Sequence, residues 1–71
     1  MYLVVELQTS NGSMAQIPYV KSTRDEAESK YHEILAYAAT SSIEVHSAVI
    51  INEEGQKIKS ECYKHEVNNN V

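Results

Sequence analysis

His46, Tyr63, His65, Glu44 and Glu61 are the side chains of this sequence best equipped for chemistry, and they fall at alternating positions of two β-rich segments, 43–51 and 57–67. Alternate residues of paired strands share a face and converge within side-chain reach. Imidazole and carboxylate groups give directed hydrogen bonds and a tyrosine ring gives a flat stacking surface, which together suit a pocket for a nucleobase or sugar. Lys57, Lys59 and Lys64, with Arg24 at the start of the central helical segment, supply local positive charge for a phosphate. The same grouping serves equally as cross-strand Glu–His and Tyr–His contacts that steady a sheet or an oligomer interface. Both readings stay open at this level.

Catalytic and metal chemistry find weaker support. His32, His46, Cys62 and His65 lack paired-cysteine spacing and share no expected face, His46 and His65 pointing outward and Cys62 inward, so no metal is expected. A core-facing Cys62 is inert packing rather than a nucleophile. Glu28 and His32 stand four apart on a helix, the spacing of a solvated salt bridge. Gly12 and Gly55 are isolated turn glycines, which make no phosphate-cradling loop. With no nucleophile–base pair placed, neither an enzyme nor a cofactor is expected.

The elements that must position these groups follow from periodicity. Leu3, Val5 and Leu7 alternate with Val4, Glu6 and Gln8, and Ala15, Ile17 and Tyr19 alternate with Gln16, Pro18 and Val20, as in two half-buried strands. A two-residue Asn11-Gly12 turn would set Leu7 opposite Gln16 and put the two apolar sets on opposite faces. A three-residue loop sets Leu7 opposite Ala15 and Val5 opposite Ile17, so it is the expected connection. Pro18 cannot donate to a ladder and assigns the second strand to an edge or a bulge.

Thr23-Arg24-Asp25-Glu26 has capping-box spacing, and the helix it starts runs to about Ala39 or Thr40. Ala27, Tyr31, Ile34, Leu35 and Ala38 form its apolar stripe, and Glu26 with Lys30 is a favourable i,i+4 pair. Ile43 to Ile51 is a third strand, with Ile43, Val45, Ser47, Val49 and Ile51 expected toward the helix and Glu44, His46, Ala48 and Ile50 away from it. A turn on Glu54-Gly55 leads to a fourth strand and pairs Ile51 with Ile58, Val49 with Ser60, Ser47 with Cys62, Ala48 with Glu61, His46 with Tyr63 and Glu44 with His65. The result is an α+β fold of order ββαββ, a mainly antiparallel four-stranded sheet of two hairpins with one helix on one face. One domain covers 1–67, and 68–71 form a disordered tail.

Length and charge bound the rest. Seventy-one residues allow a single small core. One helix leaves the other sheet face bare, so a homo-oligomer through that face or a strand edge is expected, with Ala36 and Ala39 on the helix as a second contact surface. No apolar run reaches the roughly 20 residues of a membrane span, and residues 2–5 read as a strand rather than a signal peptide. Ten acidic against six basic side chains give −4, which disfavours a long nucleic acid. A lone cysteine forms no internal disulfide and points to a reducing compartment.

The stretches MYLVVELQTSNGSMAQIPYVK and DEAESKYHEILAYAATSSIEVHSAVIINEEG resemble short accessory proteins of phages and prophages of Gram-positive gut bacteria. That resemblance implies action in the host cytoplasm, often against host defence. It implies either a noncatalytic sponge that sequesters a nucleotide-derived immune signal, for which the residue pattern itself offers His46, Tyr63, His65, Glu44, Lys59 and Arg24, or a module that binds and inhibits a host protein. A role in virion assembly is a third possibility.

Overall fold

The computed structural model describes residues 1–66. Two hairpins flank a helix in the order β1 (Tyr2–Ser10), β2 (Ser13–Lys21), α1 (Arg24–Thr40), β3 (Val45–Asn52) and β4 (Lys57–Lys64). All neighbouring strands are antiparallel and the sheet order is β2-β1-β3-β4, which makes β1 and β3 central. This is the expected α+β architecture, with α1 on one face. The residues assigned to a disordered tail lie outside the described ones.

Local chemistry sets the helix ends. The Thr23 hydroxyl accepts the Glu26 backbone N–H at 3.2 Å and donates to the Glu26 carboxylate at 3.1 Å, a reciprocal cap at the N-terminus. Ser22 adds a second hydroxyl on that carboxylate, and the two hold it below its ordinary range. Glu26 is therefore occupied, and Lys30 pairs with Glu33 at 2.6 Å instead of the expected Glu26. Ala27, Tyr31, Ile34, Leu35 and Ala38 are buried, the same stripe that helical spacing selects.

The first hairpin departs from expectation. Asn11 and Gly12 both take positive φ, 52° and 79°, and form a two-residue turn that pairs Ser10 with Ser13 and Leu7 with Gln16. Asn-Gly is the dipeptide best suited to two successive left-handed residues, whose twist matches the strands. The Glu44 carboxylate accepts the Asn11 N–H at 2.9 Å and fixes the turn further. Local turn chemistry overrides the wish to gather all apolar residues on one face, because both faces of this sheet are apolar.

The facing is consequently the reverse of that expected. The helix covers Val4, Glu6, His46, Ala48 and Ile50, while Leu3, Val5, Leu7, Val45, Val49 and Ile51 lie on the side without a helix. Alternation defines two faces and is silent on which one the helix takes. Small Ala48, 1% exposed, lets α1 come close, with Ala27 and Ala38 also buried at that layer.

In the second hairpin two deviations cancel. The turn has three residues between Asn52 and Gln56, with Gly55 at φ 83° and the Asn52 carboxamide accepting the N–H groups of Glu54 and Gln56. That shifts the register by one, so Ile51 faces Lys57 rather than Ile58. A bulge between Ile50 and Ile51 shifts it back, and Val49–Ser60, Ala48–Glu61, Ser47–Cys62 and His46–Tyr63 pair as their spacing predicts.

Pro18 lies in edge strand β2. Ser10 and Ser13 close a two-residue turn and form a hydrogen-bonded pair, so alternate pairs down the ladder are non-bonded, Val5–Pro18 among them. The proline nitrogen therefore points to the open edge, costs no ladder bond and removes one donor that a foreign strand would use. No described helix is long and apolar enough to cross a membrane.

Candidate functional site

The reversed facing buries the residue most expected to meet a ligand. His46 has no exposed surface. Its Nε2 lies 2.6 Å from Oε2 of Glu6, and its Nδ1 lies 3.0 Å from the Ser41 hydroxyl. With Nε2–H donating to the carboxylate, Nδ1 accepts from Ser41, whose single proton serves either Nδ1 or the Ala38 carbonyl 3.2 Å away. His65 Nε2 donates to that same carbonyl at 2.8 Å, and its ring stacks near Tyr63 with centroids 6.5 Å apart. His46, Glu6, Ser41 and His65 thus form a clasp beneath the C-terminal end of α1, where histidine side chains suit the negative end of the helix dipole.

The order Ser41, His46, Glu6 has the composition of a nucleophile, base and acid. Its surroundings are unsuited to acyl transfer. A substrate cannot reach His46, and the Ser41 hydroxyl faces the carbonyl end of α1, where a developing oxyanion would meet oxygen atoms rather than N–H donors. Glu6 and Ser41 are members that sequence reasoning missed. Alternation alone puts Glu6 on one face with Val4, and only the helix's choice of that face buries the acid and requires a partner for it.

The six expected ligand residues divide into two places. His46, Tyr63 and His65 lie near the end of α1, with Glu44 held by the Asn11 N–H. Lys59 and Arg24 instead converge on Glu28, at 2.9 Å and 3.1 Å, and His32 approaches the same carboxylate at 3.5 Å. Lys59 foremost, and Arg24 with it, hold the Glu28 carboxyl below its ordinary value despite partial desolvation. Both cations are committed there rather than to the His–Tyr group. Among the described residues no three His, Cys, Asp or Glu side chains gather to hold a metal ion.

An open groove of about 330 Å³ lies between α1 and β2, lined by Glu6, Gln8, Tyr19, Lys30, Glu33 and Tyr37. Lys30 sits 4.1 Å from the Tyr19 ring centroid and is bound to Glu33, which raises its pKa. An anion entering this groove meets two carboxylates and a lysine already neutralised, which makes it a poor phosphate site.

The helix-free face is the larger feature. Leu3, Val5 and Leu7 of β1 lie beside Val20, Pro18 and Gln16 of β2 and beside Ile51, Val49 and Ser47 of β3. Met14 and Val20 project from it, 67% and 64% exposed. Ser60 and Cys62 continue the face onto β4, and with Leu7, Ser47, Val49 and the paired Ala48 and Glu61 they line a shallow hollow of about 400 Å³. Cys62 is exposed, not inward-facing as its spacing suggested. Among the described residues, the strand pairs place no Asp or Glu on this face, and the only charges they place there are Lys57 and Lys64 at the two ends of β4. A solvated sheet face is normally polar, and this one is not.

No family model matches this chain, and comparisons with curated proteins and with solved structures find no match.

Proposed function

We propose that this chain is a noncatalytic protein-interaction module whose working surface is the helix-free face of the sheet. The observation that carries this reading is the distribution of charge. Of ten acidic residues, four lie on the helix and the two in paired strands, Glu6 and Glu61, take the helix side by register, while Leu3, Val5, Leu7, Val45, Val49 and Ile51 take the other face. Exposing such a surface to water is unfavourable by roughly 25 cal/mol per Å² of apolar area, so a partner that covers it gains affinity without any catalytic group. The resemblance to phage accessory proteins and a lone exposed thiol support a place of action in the host cytoplasm.

Sequestration of a nucleotide-type signal has less to stand on. Its expected base-recognising histidine is enclosed, and the cations meant for its phosphate are bound to Glu28.

Cys62 gives a site-specific handle on the proposed surface. A photo-crosslinker attached to Cys62 in the intact chain should form covalent protein adducts on irradiation, whereas the same probe at Ala36→Cys in a Cys62→Ser chain, on the outer side of α1, should form few. Equal yields at the two positions, or no adducts at Cys62, would remove this face as the working surface.

A further inference from the structure

We infer that the partner of the helix-free face is a second copy of this chain, packed sheet against sheet with both helices outside. This rests on reading that face as an interaction surface, and four observations select the occupant.

The first is area. Four strands about 4.8 Å apart and eight to nine residues long at about 3.3 Å per residue give a footprint of roughly 500 Å² per copy. Two such faces, with the relief of their side chains, reach the roughly 1,200 Å² at which specific interfaces begin.

The second is charge. Each copy carries −4, so almost any other surface would bring carboxylates together. On the strand registers the helix-free face brings no Asp or Glu of a paired strand residue between two copies, and the helices, with Asp25, Glu26, Glu28 and Glu33, lie on the outer sides.

The third is shape. Met14 and Val20 make β2 the projecting side of the face, and Ser47, Ser60 and Cys62 make the β3–β4 side a hollow. A two-fold axis along the strands lays β2 of each copy over β4 of the other, setting Pro18 and Gln16 over the small Ser60 and Cys62 and setting Met14 and Val20 over Lys64 and Lys57, twice over as an isologous interface requires. Edge pairing is the competing arrangement, and the outward nitrogen of Pro18 blunts it at β2.

The fourth is supply. The buried apolar core among the described residues of one copy is Val4, Ala27, Tyr31, Ile34, Leu35, Ala38, Ala48 and Ile50, a small set for a chain whose single cysteine allows no internal disulfide. A second copy is present whenever the first is made, and its face adds a second apolar layer about 10 Å from the first sheet.

Sedimentation equilibrium on the intact chain tests this, alongside Val49→Lys in the centre of the face, Ser60→Lys in the hollow and Ala36→Lys on the outer helix. Circular dichroism confirms that each variant folds. Ser60 is exposed, so its variant keeps the test valid if Val49→Lys does not fold. The wild type and Ala36→Lys should sediment at twice the chain mass, and both face variants should bind themselves at least about a hundredfold more weakly. Raising salt from about 50 to 500 mM should strengthen wild-type association, because it screens repulsion between two acidic bodies and favours apolar burial; a basic foreign partner would show the opposite sign. A monomeric wild type at about 0.5 mM overturns the second copy, and Cys62 adducts to a different protein would then leave the interaction reading standing. A dimer lost in Ala36→Lys and kept in both face variants overturns both.

Discussion

Nε2 of His46 and Oε2 of Glu6 lie 2.6 Å apart, joining β3 to β1 beneath the helix across 40 residues of sequence. The histidine is wholly enclosed and has no route to water when Glu6 is lost, while the Glu6 side chain, 11% exposed, borders the groove between α1 and β2 and also accepts from the Gln8 carboxamide at 2.9 Å. His46→Ala should destabilise the fold by about 3 kcal/mol in urea titration, since it leaves a cavity and leaves the Glu6 carboxylate with the Gln8 carboxamide as its donor. The double replacement His46→Leu with Glu6→Leu should recover most of that loss, because an apolar pair removes both desolvation costs. A double variant no more stable than His46→Ala would mean that the clasp does more than satisfy its own polar atoms.

Glu28 makes stability depend on pH. Its carboxyl is held below its ordinary 4.5 by Lys59 first and by Arg24. A group with a depressed folded-state pKa adds stability that is complete above the unfolded value and fades as pH falls through the folded one. Thermal midpoints of wild type and Glu28→Gln should therefore differ at neutral pH and converge as pH drops below about 4.5. Parallel curves throughout would detach the Lys59–Glu28–Arg24 group from folding.

Gly12 tests the turn that sets the register of β1 on β2. Its φ of 79° is strained for a residue with a Cβ, although nothing stands within 4 Å of where that atom would lie. Gly12→Ala should cost about 1 kcal/mol through backbone conformation alone, and Asn11→Gly should be close to neutral. Both values come from the same denaturation series.

Much of this architecture is legible in the sequence. Thr23 and Glu26 announce the helix start, Ala27 through Ala38 give its buried stripe, and Pro18 assigns β2 to an edge. Which face meets the helix is not legible, because Val4 and Ile50 on one side are as apolar as Val5 and Val49 on the other. Choosing a three-residue loop at Asn11-Gly12 assumed one apolar face, and the dipeptide's preference for positive φ wins instead. The candidate site suffers most from that choice. His46, expected outward as a ligand contact, is the buried half of a hydrogen-bonded pair whose other half depends on strand order. Strand order is a long-range property, and no local pattern brings Glu6 beside His46.

Thr23 offers a check on the helix that is independent of the sheet. Thr23→Ala removes the acceptor for the Glu26 N–H and should lower stability by about 1 kcal/mol, while Thr23→Ser should retain most of it. An unchanged midpoint in Thr23→Ala would show that α1 is held by packing alone.

The most direct measurement is the reaction rate of the Cys62 thiol with a charged disulfide reagent as a function of protein concentration. Cys62 stands on the helix-free face and is exposed in one copy. If sister chains cover that face, the rate per thiol should fall at least about tenfold between low micromolar and submillimolar protein, and Ser60→Lys should abolish the fall. A rate that is the same at every concentration, in wild type and variant alike, would contradict the account.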